Sequence, residues 1–496
     1  MYIQTMTPHS TPRSRMFQAP AWVQDAVFYQ IFPDRFFRDP KSPQVGLIEP
    51  WGSVPTTHNF MGGNLRGITA KLDELRRLGI SALYLCPIFT STSNHRYHTN
   101  DYFKIDPLLG TLEDFQELVA EVHERGMRII LDGVFNHCSR GLYQFNSLLE
   151  SGAESPFRDW FHVDSYPVRA YESEPNYRCW WNLPALPKFN TQNLEVREFL
   201  WSVGEYWVRQ GIDGWRLDVP NEIDDDSFWQ EFRRRVKAVN PAAYIVGEIW
   251  GDPARWLAGD QFDGVMNYPA RRAILENLFP EAMTRPENLS TGEPASVLGN
   301  SSPEGALDQR AQQLSDQLRA AFPADRFGTP FNLLGSHDNM RFATLAKPYP
   351  EWQSLAWAIL LFLPGAPSIY AGDEFAQEGG KDPDNRRCME WEQHQSPKAQ
   401  AQYDLLKDLL ALRRSQVALR RGTFGCRPEG GGLLLWRELG ADRFELRVGF
   451  PGPVGVQPSR EVEWDECLAH RVAPLPGLAG RMVPSGGWQI IRVRVP

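Results

Sequence analysis

Short runs of β-branched and aromatic residues alternate with helical hydrophobic patterns through most of this 496-residue chain. The runs lie at 27–32, 81–86, 128–134, 214–219, 244–249, 262–267, 332–336 and 368–371. Amphipathic stretches at 68–78, 112–125, 196–210, 228–239, 307–322 and 352–362 precede six of them. Strand-length runs separated by helices read as parallel βαβ units. Eight such units predict an α/β chain closed into a (β/α)8 TIM barrel. The rival, an open doubly wound sheet, usually carries a Gly-rich phosphate turn after an early strand, and none is present.

Two regions break the alternation. Residues 137–211 are more than a loop and one helix need, and 138–190 is rich in aromatics, Pro and Asn. That stretch reads as an excursion domain over the barrel mouth after the third strand. Beyond 418 the helical pattern stops, and strands are expected at 433–436, 444–448 and 489–495 between Gly and Pro clusters. The expected organisation is an N-terminal tail (1–20), a barrel built from 21–137 and 191–418, the excursion domain (138–190), and a C-terminal antiparallel β-domain (419–496). The polar segment 283–304, rich in Pro, Gly and Ser, reads as a surface loop.

Composition removes several function classes. The net charge is −9 with no long basic run, so neither nucleic acid nor an anionic membrane is an expected partner. No apolar run is long enough to span a bilayer, and the first 20 residues lack the apolar core of a signal peptide. The six cysteines lie far apart without CxxC spacing, which suits reduced thiols and a cytoplasmic protein. The 17 tryptophans suit broad apolar platforms for a neutral ligand, as well as core packing.

In a barrel of this kind the C-terminal ends of the strands face the active site. Asp132, Asn136 and His137 follow from the third run, Arg216 and Asp218 from the fourth, Glu248 from the fifth, and His337 and Asp338 from the seventh. A single Asp at such a position is as readily the N-cap of the next helix. Four acids at the ends of apolar strands are costly to bury unless they serve a site. Arg216 and Asp218 are two apart in a strand and share a face. The guanidinium is expected to lower the Asp218 pKa, as a nucleophile requires, while Glu248 at the apolar end of its strand is expected to stay protonated as a general acid. One ionised and one protonated carboxyl is the arrangement that cleaves glycosidic bonds. Asp338 adds a third charge facing a cationic transition state, and His137 and His337 are placed to donate to sugar hydroxyls. A metal reading would use Asp132, His137, His337 and Asp338 as ligands, with Arg216 opposing the cation.

These segments resemble the four short motifs of the α-amylase superfamily, glycoside hydrolase family thirteen: 132–137, 214–222, 247–250 and 331–339. The resemblance runs from Tyr29–Phe36 to the β-domain. It implies that Asp218 is the nucleophile, Glu248 the acid/base and Asp338 the transition-state stabiliser, with Arg216, His137 and His337 around the reacting sugar. Tyr97 resembles the tyrosine that stacks under that sugar, and His98 stands where the family usually has Asp. Asp382 and Arg386 resemble the pair that holds the next sugar, although a surface ion pair fits them equally. Asn193 reads as a helix cap. Val219-Pro-Asn221-Glu222 and Leu186–Asn190 resemble the cyclomaltodextrinase, neopullulanase and maltogenic amylase subgroup, which places Glu222 among the substrate-binding candidates.

The resemblance implies a retaining α-glucoside hydrolase acting on α-1,4 bonds of malto-oligosaccharides, cyclodextrins or related α-glucans, with transfer to sugar acceptors alongside. The alternatives are a 4-α-glucanotransferase of the same fold and a non-catalytic sugar-binding protein on this barrel. Trp180, Trp181 and Phe189 either stack on neighbouring glucose units or pack as a small core. Only some 20 residues precede the barrel, where the subgroup carries an N-terminal β-domain that lids a partner's cleft, so a monomer with an open cleft is expected. No cofactor is expected. The family's calcium loop corresponds to 38–51, where Asp39 and Glu49 are the only carboxylates, and Asn64 replaces an acid.

Overall fold

The computed structural model describes residues 19–43, 45–285, 288, 306–322, 329–348, 350, 352–391, 396–429, 432–450, 466–471 and 488–494. Nearly all of the expected tail and most of the 283–304 segment lie outside the described residues.

Eight parallel strands run in spatial order Gly264–Val265, Tyr244–Gly247, Gly214–Leu217, Arg128–Gly133, Ala82–Leu85, Phe28–Ile31, Ala366–Tyr370 and Phe331–Leu333. A parallel bridge between Met266 and Phe331 draws the two ends of this sheet together into a nearly closed barrel. The two-residue period of each strand sorts its side chains. One set (Phe28, Ala82, Ile130, Tyr244, Val246, Phe331, Leu333 and Ala366) packs as a single apolar cluster inside the barrel. The alternate set, including Tyr29, Leu83, Ile129, Trp215 and Ile245, belongs to the larger core shared with the helices. Two residues further along, the inward face carries Gln30, Tyr84, Asp132 and Arg216, all buried. The apolar filling of the barrel therefore gives way to charge at its C-terminal mouth. Asp132 sits directly across from Arg216 in the strand register. Gly214 has φ +155°, and a Cβ there would stand 2.0 Å from the Tyr244 carbonyl oxygen, so only glycine lets these two strands approach.

The helices carry their own start and stop signals. Asn64 caps Leu65–Leu78 by accepting from the Gly67 amide, and Gly79 ends it at φ +113°. Thr111 and Asp114 form a capping box on Leu112–Glu124. Asn193 caps Leu194–Arg209 through the Glu195 amide, as its sequence position implies. Three longer helices, Tyr143–Ser151, Pro397–Ser415 and Tyr268–Leu278, have no counterpart among the amphipathic stretches of the sequence. In the last of these Ala273, Ile274, Leu275, Glu276 and Asn277 are all buried, which leaves little contrast between its faces.

Two further differences shape the site. A hairpin of Phe89–Ser91 and Thr99–Ile105 follows the second strand, and its irregular register hides it from a period-two reading. The seventh strand ends at Leu333, so Asp338 lies in a turn beyond it rather than at a strand end. That turn is held by Asn385, whose Nδ2 donates to the carbonyls of His337 (2.6 Å) and Asn339 (2.8 Å). Between the third and fourth strands, antiparallel bridges pair Phe161 with Phe189, Val163 with Tyr177 and Cys179 with Pro187. After the barrel, a five-stranded antiparallel sheet runs in the order Thr423–Glu429, Gly432–Leu439, Asp442–Gly449, Trp488–Arg494 and Glu466–Arg471.

Candidate active site

Arg216 organises the barrel mouth. Its Nη1 donates to Asp132 Oδ1 (2.9 Å) and Asp218 Oδ1 (3.0 Å). Its Nη2 lies 2.9 Å from Glu248 Oε2 and 4.0 Å from Asp338 Oδ2. One planar fork thus faces four carboxylates delivered by three adjacent strands and the turn after a fourth. Asp218 keeps its other oxygen, Oδ2, buried with no hydrogen-bond partner among the described residues. Glu248 is held at both oxygens: Oε2 accepts from the Val219 amide (3.1 Å) and Oε1 from Trp250 Nε1 (3.2 Å). The Val219 amide reaches it from a left-handed backbone (φ +34°), a conformation that costs a β-branched residue about 1–3 kcal/mol.

A second layer fixes Asp338. The ring of His337 stacks on Tyr97 with centroids 5.4 Å apart. Gln30 Nε2 lies 2.6 Å from His337 Nδ1, which makes Nδ1 the acceptor and puts the ring proton on Nε2. His337 Nε2 then faces both the Tyr97 hydroxyl oxygen (2.6 Å) and Asp338 Oδ1 (3.1 Å). Tyr97 donates its own proton to Asp132 Oδ2 at 2.8 Å, beside a bond from Tyr84 at 2.6 Å. Arg386 Nη2 stands 3.6 Å from Asp338 Oδ1, and its Nη1 lies 3.0 Å from Asp382 Oδ1.

These groups open onto a cleft of about 320 Å³ lined by Asp218, Glu248 and Asp338, and also by Tyr97, His137, Asp382 and Arg386. Seven of the ten candidate residues therefore line one cleft. Arg216 and His337 lie beneath it, buried, so His337 is spent on Asp338 and Tyr97 rather than offered to a sugar. Glu222 is not on the lining: it pairs with Lys188 at 2.7 Å. Trp180 and Trp181 line the cleft, stacked on each other at 4.4 Å, with Trp180 also stacked on His137 at 5.0 Å. Trp181 is 58% exposed. Phe189 is buried in the core against Phe161. The sequence reading passed over His95 and Trp250, which also line the cleft, and Gln30, which sets the His337 tautomer. Gln30 is marked as the one polar residue in its apolar strand, and Trp250 closes the 247–250 segment.

The charge balance corrects one expectation. Arg216 was expected to lower the Asp218 pKa. Burial instead pushes this carboxyl well above the usual range: Arg216 pulls it down, but Glu248, Asp132 and Asp338 push it up. The guanidinium is shared and cannot satisfy each neighbour in full. Burial also raises Glu248, against Arg216, as a proton-holding acid requires. Burial pulls His137 down to about 3, so its ring is neutral, and its Nε2 is buried without a partner among the described residues.

The residues near the first strand do not fit a calcium ion. Arg38 Nη2 donates to the Glu49 carbonyl (2.8 Å) and Nε to the Met61 carbonyl (3.0 Å). Asp34 accepts from the amides of Met61 (2.9 Å) and Gly62 (3.2 Å), and Asn64 is spent on capping its helix. A guanidinium already faces the carbonyl oxygens that a hard cation would need.

A family profile described as "Alpha amylase, catalytic domain" matches residues 30–411. A cyclomaltodextrinase of Geobacillus thermopakistaniensis is 43% identical over 415 residues, covering 83% of this chain but 66% of that protein, so the chain spans just under two thirds of its length. The solved cyclic α-maltosyl-(1→6)-maltose hydrolase of Arthrobacter globiformis is 38% identical with a TM-score of 0.80, covering 96% of this chain and 100% of that one. The debranching enzyme of Nostoc punctiforme is 38% identical with a TM-score of 0.83, covering 96% and 99%.

Proposed function

The chain belongs to the α-amylase family, and from that premise we propose that it is a retaining glycoside hydrolase of short α-glucans. The observation that carries this reading is the division of labour under Arg216. Asp218 has one oxygen gripped and one free, while Glu248 has both oxygens held. Glu248 protonates the glycosidic oxygen. Asp218 Oδ2 attacks the anomeric carbon as that bond breaks. Glu248, now ionised, takes a proton from water as the water attacks the same carbon and releases Asp218. Asp338, steadied by His337 and Arg386, opposes the positive charge that develops on the ring. One guanidinium gripping both carboxyls favours the short spacing of about 5–5.5 Å used for retention. The bonds cleaved are α-1,4 links in malto-oligosaccharides, cyclodextrins or related α-glucans. The Trp180–Trp181 stack offers flat apolar faces to further glucose units.

We place the reaction in the cytoplasm. The cysteines 86, 138, 179, 388 and 426 are all unbridged, and no described helix is long and apolar enough to cross a membrane. Proton NMR of fresh maltotriose and β-cyclodextrin digests tests the mechanism. The expected first product is the α-anomer. A β-anomer would mean direct attack by water. Chain-length redistribution without net reducing-end gain would make the protein a transferase.

A further inference from the structure

A cavity of about 160 Å³ lies at the opposite end of the barrel, below the N-terminal ends of the first three strands. One water needs only about 10–15 Å³ of such space. Five guanidiniums line it, from Arg76, Arg125, Arg413, Arg414 and Arg420, against a single lining carboxylate, Asp25. Asp25 is gripped by Arg420 and by the neighbouring Arg421. Arg125 is taken by Asp73 (2.8 Å) and Glu121 (2.5 Å). Arg76, Arg413 and Arg414 make no ion pair among the described residues, and Arg76 and Arg414 are exposed.

Each of the five sits in the last turn or at the cap of a helix, where a cation suits the C-terminal carbonyls. That accounts for the sign of the charge but not for the burial of Arg413. Arg413 is 2% exposed and spends its terminal nitrogens on four carbonyls: Nη1 on Leu361 (2.7 Å), Leu363 (3.2 Å) and Leu419 (3.0 Å), Nη2 on Gly365 (2.6 Å). Burial, with Arg420 beside it, pulls its pKa down to about 10. Its Nε, and that of Arg420, are buried with no hydrogen-bond partner among the described residues. Buried donors of this kind normally find an acceptor. A tetrahedral oxyanion supplies several acceptors and the missing negative charge at once.

We propose that this cavity binds a phosphate group, either free inorganic phosphate or the monoester of a small sugar. The site lies across the barrel from the cleft and shares no residue with it. Titration calorimetry at constant ionic strength, with inorganic phosphate in one arm and glucose 6-phosphate in the other, tests it. Saturable one-to-one binding is expected in at least one arm. The exposed pair Arg76→Gln/Arg414→Gln should weaken it by about 10-fold or more, as expected when two charge-assisted contacts are lost. Turnover of maltotriose by that variant should equal wild type. Tighter binding of glucose 6-phosphate identifies the monoester as the ligand, and equal affinity identifies the free oxyanion. Heats no larger than dilution, or a variant that binds like wild type, would overturn the proposal.

Discussion

Trp250→Phe separates the acid from the nucleophile without touching either. Phe keeps an aromatic ring against Tyr268, which Trp250 now stacks on at 3.7 Å, and removes the Nε1–H that donates to Glu248 Oε1 together with part of the ring face. A bond to an ionised acceptor is worth about 1.5–3 kcal/mol at good geometry. At 3.2 Å this one is at the long end of the range, so about 1 kcal/mol is a fair figure. The donor favours the ionised carboxylate, and its loss raises the pKa of Glu248 by roughly 0.7 unit. Glu248 must be protonated to act. The alkaline limb of kcat/KM against pH should therefore move up by that amount, while the acid limb, set by ionisation of Asp218, stays in place. The assay is the pH profile of maltotriose hydrolysis for both proteins. The limbs belong to a coupled cluster, so the quantity read is the difference between variant and wild type. A variant whose acid limb moved while its alkaline limb did not would refute the assignment of roles.

Asp218→Asn, Glu248→Gln and Asp338→Asn should each lower kcat by at least about 100-fold with the circular dichroism melt still cooperative, and double variants should fall little further. A Glu248→Gln enzyme retaining a tenth of wild-type kcat would exclude that residue as the acid. EDTA should leave the melting temperature and the activity unchanged, because Arg38 rather than a metal ties Glu49 to Met61. Arg38→Met should instead cost about 1 kcal/mol of stability, mostly by leaving the buried Met61 carbonyl without its donor, read by denaturant melts, and added Ca²⁺ should not restore it. A calcium-reversible melting drop in EDTA would contradict this.

The fold and the gathering of carboxylates at the barrel mouth were legible because both depend on local periodicity. Ile130 and Asp132, or Arg216 and Asp218, need only a strand and its alternation to share a face. The eight runs appear in the order their pattern implied, and the sixth shrinks to Gly264–Val265. What escaped is what depends on distant chain. Glu222 stands beside the nucleophile segment in sequence, yet Lys188 of the excursion turns it away from the cleft. His95 reaches the cleft on a hairpin whose bulges erase its period. Asp338 was recognised, but its support by Asn385 and Arg386 comes from a loop some 45 residues further on, which no window spans.

The sharing of one guanidinium among Asp132, Asp218 and Glu248, at 2.9–3.0 Å each, also makes the resting cleft a proton store. Three carboxyls cannot all ionise against one positive charge in a buried setting. A ligand that brings its own cation to the ring position, such as a protonated amino sugar, favours the ionised carboxylates and so expels protons on arrival. Its affinity must then climb with pH until the amine itself deprotonates, whereas a neutral sugar of the same shape gains nothing from the change. The cleft is thus expected to tell ligands apart by the charge they carry, to a degree set by how far Arg216 falls short of neutralising its neighbours.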